Sequence, residues 1–417
     1  MRSQKRYVGL TASFAIFVLS AFATVMPASA QQETLLYSFH DNNSDGTEPV
    51  AAPVFDAAGN LYGTTISGGA YNFGSVFELS PQSGGVWKEK LLHSFNSNGK
   101  DGFNPTASLI LDAAGNLYGT TSLGGSHSGG TVFELSPQPG GGQFSERILH
   151  NFTPGLTDGS NPIAGLVFDA AGDLYGDTVA GGAHNNGVVF ELTPVSGGHS
   201  WSEKLIHAFD GHGGGAIPFG TLVFDPAGNL YGTTQDGGIQ NNGIVFKLSP
   251  TLSGPWTETV LHSFTGGPTD GSAPEAGVTF DSAGNLYGTT YGGGTFEYGT
   301  VFKLSPNGDG SWSESFVHYF DSVPPDGYSV NSVIVDASGN LYTTTAEGGE
   351  YAYGTVIEFS LGGGSWNEIT LHSFNYAGTN DGDTPKAGLI FDAAGNLYGT
   401  TQHGGRYNEG TVFKVTP

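Results

Sequence analysis

The chain contains no cysteine, and only 13 of its 417 residues are lysine or arginine. The absence of cysteine excludes disulfides, thiolate nucleophiles and cysteine-ligated zinc. With 38 acidic residues the formal net charge is −25, which opposes binding to the phosphate backbone of nucleic acids and to anionic lipids. Nucleic acid is therefore not an expected partner.

Helix-period stretches with caps are also missing, whereas glycine is abundant. The chain has 69 glycines and 21 prolines, and 37% of its residues are hydrophobic. This hydrophobic content is sufficient for a core, and the glycine and proline content indicates many tight turns. The composition opposes wholesale disorder and is unusual for a helical protein.

The first 30 residues are typical of a secretory signal peptide. Arg2, Lys5 and Arg6 precede a long apolar stretch, and Ala28-Ser29-Ala30 forms a small-residue cleavage site. A retained membrane anchor is the alternative, but the A-x-A ending favours cleavage before Gln31. No later apolar stretch is long enough to span a bilayer. We therefore expect a secreted or cell-surface protein, extracellular or periplasmic, with no membrane span after cleavage.

A unit of about 56 residues occurs seven times along the chain. Each copy contains an apolar run, D-x-A-G-N, L-Y-G-T-T, x-x-G-G, four variable residues, G-T-V-F-x-L-S-P and W-x-E-x-x-L-H-S-F. Units with four short strands are typical of β-propeller blades. The tyrosines of the seven L-Y pairs are Tyr62, Tyr118, Tyr175, Tyr231, Tyr287, Tyr342 and Tyr398.

Four of these segments predict the strands of each blade. The apolar run is strand A, L-Y-G-T-T is strand B, V-F-x-L is strand C and W-x-E-x-x-L-H-S-F is strand D. The first recognisable element, residues 33–39, is a lone D strand, and the last is a C strand, so the chain ends together complete one blade. We predict an all-β, seven-bladed β-propeller with four antiparallel strands per blade, whose N-terminal strand closes the last blade and removes the open sheet edges.

The predicted boundaries follow directly from the repeats. Residues 1–30 form the signal peptide and residues 31–417 a single propeller. Strand D of blade 7 is expected at 31–40, blades 1 to 6 at 48–96, 104–152, 161–209, 217–264, 273–320 and 328–374, and strands A to C of blade 7 at 384–417.

The combined motif G-N-L-Y-G-T-T-x-x-G-G-x4-G-T-V-F-x-L-S-P resembles the GloVer-type tandem repeat of exported bacterial proteins. The resemblance covers nearly all of residues 33–417, and it implies an extracellular or surface protein of bacterial origin without an established biochemical activity. The A–B turn also resembles that of NHL-like propellers. Copies three and six depart from the pattern, with Asp173 and Asp177 in one and Thr343 in the other.

The loops that vary in sequence predict the binding face. In a propeller the B–C and D–A connections share one face, and aromatic residues cluster in the B–C loops of copies five, six, seven and one. Such rings beside amide and carboxylate groups suit sugars or protein side chains, although packing on neighbouring loops is an equal alternative. The candidate ligand-binding residues are Tyr71, Phe73, Phe296, Glu297, Tyr298, Tyr351, Tyr353, Arg406, Tyr407 and Glu409.

Histidine and glutamate each recur in one register of strand D. Because symmetry-related outer strands belong to different blades and are expected to lie far apart, the histidines are not predicted to share a metal ion, nor the glutamates to act as catalytic pairs. A packing role is favoured for both sets. The histidines are His93, His150, His207, His262, His318 and His372; the glutamates are Glu89, Glu146, Glu203, Glu258, Glu314 and Glu368.

The loop before each strand A often holds Asp-Gly, which is read as a turn because aspartate accepts local backbone hydrogen bonds. One loop, from Asp41 to Gly46, fits the first half of an EF-hand calcium loop, but Ala52 stands where the bidentate glutamate is required. A weak calcium site at Asp41, Asn43 and Asp45 is the one metal candidate, and no other cofactor is expected.

The sequence favours a monomeric binding or scaffold module for extracellular glycan or protein, acting through the B–C/D–A face. A polysaccharide-active hydrolase or lyase and a purely structural envelope or matrix protein are the alternatives. No established catalytic motif is present, so catalysis would need residues that break the repeat. Those candidates are Glu297, Glu350, Glu409, Arg406, His127, His184 and His403.

Overall fold

The computed structural model of the chain describes residues 32–140, 142–195, 200–251, 254–376 and 380–417. Within these residues every regular element is a strand, and four-stranded antiparallel sheets form the blades of a seven-bladed β-propeller. The predicted fold class is therefore confirmed. The predicted signal peptide lies outside the described residues. No helix long and apolar enough to cross a membrane occurs in the described part of the chain.

Strand A is short and strand B is fully buried in its first five residues. The A strands are Val54–Phe55, Ile110–Leu111, Val167–Phe168, Val223–Phe224, Thr279–Phe280, Ile334–Val335 and Ile390–Phe391. The B strands are Leu61–Thr65, Leu117–Thr121, Leu174–Thr178, Leu230–Asp236, Leu286–Thr290, Leu341–Gly348 and Leu397–Thr401.

Strand C follows B, and strand D is the outer, half-exposed strand. The C strands are Ser75–Pro81, Thr131–Pro137, Val188–Pro194, Ile244–Ser249, Thr300–Pro306, Thr355–Gly362 and Thr411–Thr416. The D strands of blades 1 to 6 are Trp87–Ser94, Phe144–Asn151, Trp201–Ala208, Thr257–Ser263, Trp312–Tyr319 and Ser365–Ser373, and that of blade 7 is Gln32–Ser38.

The A–B turn is held by its aspartate. In blade 1, Asp56 Oδ1 accepts hydrogen bonds from the backbone N–H groups of Ala58 and Asn60, both at 2.9 Å. Gly59 supplies the positive φ of 85° that this tight turn requires. The same carboxylate accepts a hydrogen bond from Tyr62 at 3.2 Å, which ties the turn to strand B.

Short additional strands join the two sets of loops on one face. A segment of each D–A loop pairs with the end of strand B or with the B–C loop that follows it. These D–A segments are Gly46–Thr47, Gly102–Phe103, Gly159–Ser160, Ala216–Pro218, Gly271–Ser272, Gly327–Val330 and Gly382–Asp383. Their partners are Ser67–Gly68, Leu123–Gly124, Ala180–Gly181, Gly292–Gly293, His403–Gly404 and, in blades 4 and 6, the ends of the longer B strands.

The first described strand pairs with the last strand in blade 7, as predicted. Gln32–Ser38 pairs antiparallel with Thr411–Thr416, and Leu35 lies opposite Phe413. Phe39 continues from this strand and is fully buried, with its ring 5.1 Å from that of Phe77 in blade 1. The closing strand therefore has no free inner edge and also packs against the next blade.

The hydrophobic core lies between neighbouring blades rather than at one centre. Between blades 1 and 2, for example, Tyr62 and Phe95 pack with Leu117 and Phe133, and equivalent clusters repeat around the ring. Burying several side chains of this size at each junction contributes about 1.5–3 kcal/mol per side chain. Each blade is thus stabilised mainly by its two neighbours.

Candidate functional site at the loop face

A cavity of about 1020 Å³, termed the main cavity, lies among the described residues. Its lining comes mainly from the ends of the D–A loops, just before the A strands. The end of strand B in blade 6 and B–C residues of blades 5 and 6 complete it. The cavity therefore opens at the B–C/D–A face, around the centre of the ring. This is the face on which the sequence placed the variable loops.

The lining is different on the two sides of the cavity. The first three blades contribute mainly small or aliphatic side chains, such as those of Val50 to Ala52, Thr106 to Ser108 and Ile163 to Gly165. Blade 4 contributes the aromatic ring of Phe219, whereas the tyrosine and charged lining comes from blade 5 onward. It comprises Glu275, Tyr291, Glu347, Tyr353, Asp383 and Lys386 and is termed the polar wall.

Hydrogen bonds orient the carboxylates of the polar wall. Gln235 donates its Nε2–H to Glu275 Oε1 at 2.6 Å, and burial raises the pKa of Glu275 although this hydrogen bond opposes the shift. The phenol of Tyr328 donates to Glu347, which raises the pKa of Tyr328. Asp383 Oδ1 accepts from the hydroxyl of Thr384 at 2.7 Å. Two of these three acids are held by groups from other segments of the chain.

The aromatic residues predicted to bind ligand divide into two groups. Phe73, Tyr298, Tyr353 and Tyr407 each have a ring neighbour in an adjacent D–A loop, and these neighbours are Phe103, Tyr328, Tyr376 and His40. Tyr71, Phe296 and Tyr351 are 59%, 51% and 43% exposed. Of the whole predicted set, only Tyr353 lines the main cavity.

The predicted charged residues lie away from the main cavity. Arg406 and Tyr407 line a second depression of about 460 Å³, together with His40 and Asp45, and the Arg406 guanidinium lies 5.3 Å from the Tyr407 ring centre. Glu409 is half-buried, and its burial, reinforced by Asp41 and Glu48, raises its pKa. None of the catalytic candidates Glu297, Glu350, Glu409, Arg406, His127, His184 and His403 lines the main cavity.

The three calcium candidates differ in burial. Asp45 is buried, and its Oδ2 accepts hydrogen bonds from the Tyr37 hydroxyl at 2.8 Å and from the His40 backbone N–H at 3.1 Å. Asp41 and Asn43 are exposed. Calcium binding by these residues stays a prediction.

The prediction that outer strands of different blades lie too far apart to share a site is wrong for adjacent blades. Neighbouring sheets stack about 10 Å apart, a gap that two facing side chains can bridge. The histidine of one D strand meets the glutamate of the next, and the aspartate of the intervening D–A loop completes a junction cluster. The complete clusters are His93–Asp101–Glu146, His150–Asp158–Glu203, His262–Asp270–Glu314, His318–Asp326–Glu368 and His372–Asp381–Glu33.

A β-bulge explains why the strand pattern did not predict these clusters. Glu89 and His93 are four residues apart, so regular alternation would place both on one face of the sheet. The C–D pairing of blade 1 shifts register between Val76 and Phe77, which leaves Leu92 unpaired. The extra residue turns His93 toward blade 2 while Glu89 faces blade 7, and the same shift recurs in the other blades.

The carboxylate of each cluster aspartate also holds its own loop, as the turn prediction required. Asp101 Oδ2 accepts from the Asn96 backbone N–H at 3.0 Å, and Asp270 Oδ2 accepts from that of Thr265 at 2.7 Å. Burial raises the pKa of Glu146, and also that of Glu314, to about 7. Burial would lower the pKa of His93, but the adjacent carboxylates outweigh it and leave that pKa raised.

Sequence reasoning missed most of the polar wall. It considered only the four variable residues of each B–C loop, whereas Tyr291 directly follows L-Y-G-T-T. The equivalent residues in the other copies are Ile66, Ser122, Val179, Gln235, Ala346 and Gln402. Tyr291 is the one aromatic residue at this position of the seven copies. This departure from the repeat was the sequence signal that could have indicated the cavity.

Comparison with known proteins supports the fold and identifies the family. A search of curated proteins found no match. A proposed 6-phosphogluconolactonase from Bacteroides uniformis is similar in structure, with a TM-score of 0.52 and 16% identity over 82% of this chain and 88% of that one. The extracellular domain of a proposed one-component system from B. thetaiotaomicron has a TM-score of 0.53 and 13% identity over 92% of this chain and 42% of that one.

Because the sequence identities to these two structures are only 16% and 13%, their similarity to this chain shows a shared fold alone. The sequence match is more specific, because the family model described as the Gloeobacter/Verrucomicrobia repeat matches residues 20–246 and 218–417. The two matches together include every blade. The chain therefore belongs to the Gloeobacter/Verrucomicrobia repeat family.

Proposed function

We propose that this chain is an exported binding protein that holds an extracellular glycan in the cavity at the B–C/D–A face. The observation that carries the proposal is the polar wall. Seven near-identical blades would line the cavity evenly, yet its tyrosines and its charged side chains all come from blade 5 onward. Departure from the repeat at the cavity, on an otherwise repeated frame, is where a ligand-specific function is expected.

The shape of the cavity favours a glycan over a protein partner. A volume of about 1020 Å³ is at the upper end of the range for small-ligand sites. A stable protein interface instead buries about 800 Å² on each partner, usually over a broader surface. A short oligosaccharide entering the cavity would fit this shape, with the remainder of a longer chain extending into solvent.

The polar wall has the chemistry that sugars require. Tyrosine rings present apolar faces to the C–H surface of a pyranose and a hydroxyl to its polar edge. Tyr291 is 53% exposed and Tyr353 is half-buried, so both have ring surface available. Glu347, Asp383 and Lys386 add charged groups that hydrogen-bond sugar hydroxyls. We propose Tyr291 and Tyr353 as the stacking residues.

A glycan panel with the chain lacking residues 1–30 tests the proposal. We expect binding of at least one glycan class, and at least a tenfold weaker affinity for Tyr291→Ala, because the lost ring removes a stacking surface. Tyr71→Ala is the matched control, since Tyr71 is a similarly exposed tyrosine of the B–C loops that does not line the cavity. No binding to any glycan, or equal losses for the two variants, would contradict the proposal.

Polysaccharide cleavage is the second candidate function, and one observation favours it. Burial raises the pKa of Glu275, which is the direction required of a general acid near neutral pH. Incubating the panel with wild-type chain and with Glu275→Gln distinguishes the candidates. Released fragments that disappear in the variant would assign a hydrolase or lyase, whereas binding without release assigns a binding protein.

A further inference from the structure

We propose that the complete junction clusters bind divalent metal ions of the zinc type, with one ion between each pair of blades that shares a cluster. Each cluster offers one imidazole nitrogen and two carboxylate oxygens from three separate segments of the chain. This inference is independent of the glycan proposal, because the clusters lie at the outer strands and not in the main cavity.

In three of the five complete clusters the distances fit a shared ion better than direct hydrogen bonds. In the other two, His318 Nε2 and His372 Nε2 lie within hydrogen-bond distance of an aspartate oxygen, at 3.1 and 3.0 Å. Histidine Nε2 lies 3.5 Å from both carboxylates in the His93 cluster, and 3.4 and 3.6 Å from them in the His150 cluster. The corresponding distances are 3.4 and 3.4 Å for His262. Ligands 2.0–2.1 Å from a tetrahedral zinc ion are about 3.3 Å apart, whereas charge-assisted hydrogen bonds are about 2.7–2.9 Å long.

Several donor atoms of the clusters are buried and have no hydrogen-bond partner. They include His93 Nε2, Asp101 Oδ1 and Glu146 Oε1 of one cluster, and the Asp101 side chain is only 5% exposed. His150 Nε2, Glu203 Oε1, Glu314 Oε1 and Glu33 Oε1 are in the same condition. Unpaired buried polar atoms are rare and costly, so their recurrence calls for a ligand. The two junctions that lack one donor also have unpaired atoms, which are Asp45 Oδ1, Glu89 Oε1, His207 Nε2 and Glu258 Oε1. A divalent cation would satisfy the unpaired atoms of the complete clusters and offset the acidic charge.

The surroundings hold the donors in place as metal sites require. Thr265 donates both its backbone N–H and its hydroxyl hydrogen to Asp270 Oδ2, at 2.7 and 2.8 Å. The His93 ring packs edge-on against buried Phe95 with centroids 4.7 Å apart. Fixed second contacts of this kind orient metal ligands. The imidazole donor favours zinc over calcium or magnesium, which prefer oxygen ligands alone.

Two of the seven junctions lack one donor and serve as internal controls. Between blades 7 and 1, Tyr37 stands in place of histidine beside Asp45 and Glu89. Between blades 3 and 4, His207 lies 3.7 Å from Glu258, but the glycine-rich loop 211–215 replaces the Asp-Gly turn. The expected stoichiometry is therefore five ions per chain and not seven.

Metal content and metal position together test the proposal. We expect the chain lacking residues 1–30, equilibrated with micromolar free zinc, to retain five ions by mass spectrometry. Glu146→Gln should retain four, and Glu258→Gln, in an incomplete junction, should still retain five. Tyr37→His should retain six, because it adds the missing donor. Circular dichroism would verify that each variant is folded.

Crystals of the wild-type chain soaked in zinc give the second measurement. Anomalous scattering at the zinc edge should show an ion at the five complete junctions and at neither incomplete one, and a calcium soak should leave the five complete junctions empty. A folded chain that retains no zinc, or zinc content unchanged by Glu146→Gln and Tyr37→His, would overturn the proposal. The acidic groups would then share protons rather than a metal ion.

Discussion

Thr400 donates its hydroxyl hydrogen to the carbonyl oxygen of Ala51 at 3.1 Å, joining two residues that are 349 positions apart. The bond links strand B of blade 7 to the segment just before strand A of blade 1 and so helps to close the ring. Thr64, Thr120, Thr233, Thr289 and Thr344 make the equivalent bond to the next blade.

We predict that Thr400→Val lowers the free energy of unfolding by about 1–3 kcal/mol, because the buried carbonyl of Ala51 loses its partner. Urea denaturation measures the change. Thr34→Val makes the same substitution at an exposed position of strand D in blade 7 and should change stability by less than about 0.5 kcal/mol. Equal effects at the two positions would show that the inter-blade bond contributes nothing.

A glycine and a phenylalanine are matched across strands B and C of most blades. In blade 1 a Cβ added to Gly63 would lie 2.5 Å from Cζ of Phe77, so only glycine fits. In blade 6 the equivalent pair is Thr343 and Ile357, which are also register partners. The departure noted in copy six therefore has a packing reason.

From this pairing we predict that Gly63→Thr destabilises the chain by about 1–3 kcal/mol through overpacking. Adding Phe77→Ile should recover part of that loss, because it recreates the pair of blade 6. Thermal or urea unfolding of both single variants and the double variant gives the interaction energy. Strictly additive losses would refute the matched-pair explanation.

Blade 3 has Asp177 at the position where the other six blades have a threonine bonded to the next blade. Asp177 is 1% exposed, and neither of its carboxylate oxygens has a hydrogen-bond partner. Burial raises the pKa of Asp177 well above its usual value. The folded state therefore favours the protonated form, and this residue makes the chain less stable as the pH rises from about 4.

We predict that Asp177→Thr raises the free energy of unfolding at neutral pH by about 1–3 kcal/mol, since it removes an unpaired buried acid and restores the repeat's hydroxyl. The gain should be larger at pH 8 than at pH 4. Denaturation at the two pH values measures it. A destabilised variant, or a gain independent of pH, would contradict this interpretation and would indicate that Asp177 has an unseen partner.

The sequence was sufficient for the fold because repetition makes each segment's role visible seven times. The L-Y-G-T-T and V-F-x-L segments predicted the central strands, and the unmatched segment at residues 33–39 predicted ring closure. Strand A is shorter than the apolar run that predicted it. In blade 2, for example, Leu109 is buried next to the two-residue strand Ile110–Leu111 but does not belong to it.

The site was less predictable than the fold, for two physical reasons. Side chains from different blades meet only after the blades stack, so Glu275, which accepts a hydrogen bond from Gln235 of blade 4, gave no local signal. The bulge at Leu92 reverses the face of His93, which alternation alone cannot predict. Of the loop aromatics predicted to bind ligand, Tyr353 alone lines the cavity.

A crystal structure of the chain with the glycan selected by the panel most directly tests the proposed binding site. We expect sugar density in the cavity, with a pyranose face against Tyr291 or Tyr353 and hydroxyls within hydrogen-bond distance of Glu347, Asp383 or Lys386. Sugar bound only to the opposite face, where the A–B turns lie, would contradict the assignment of the polar wall as the binding site.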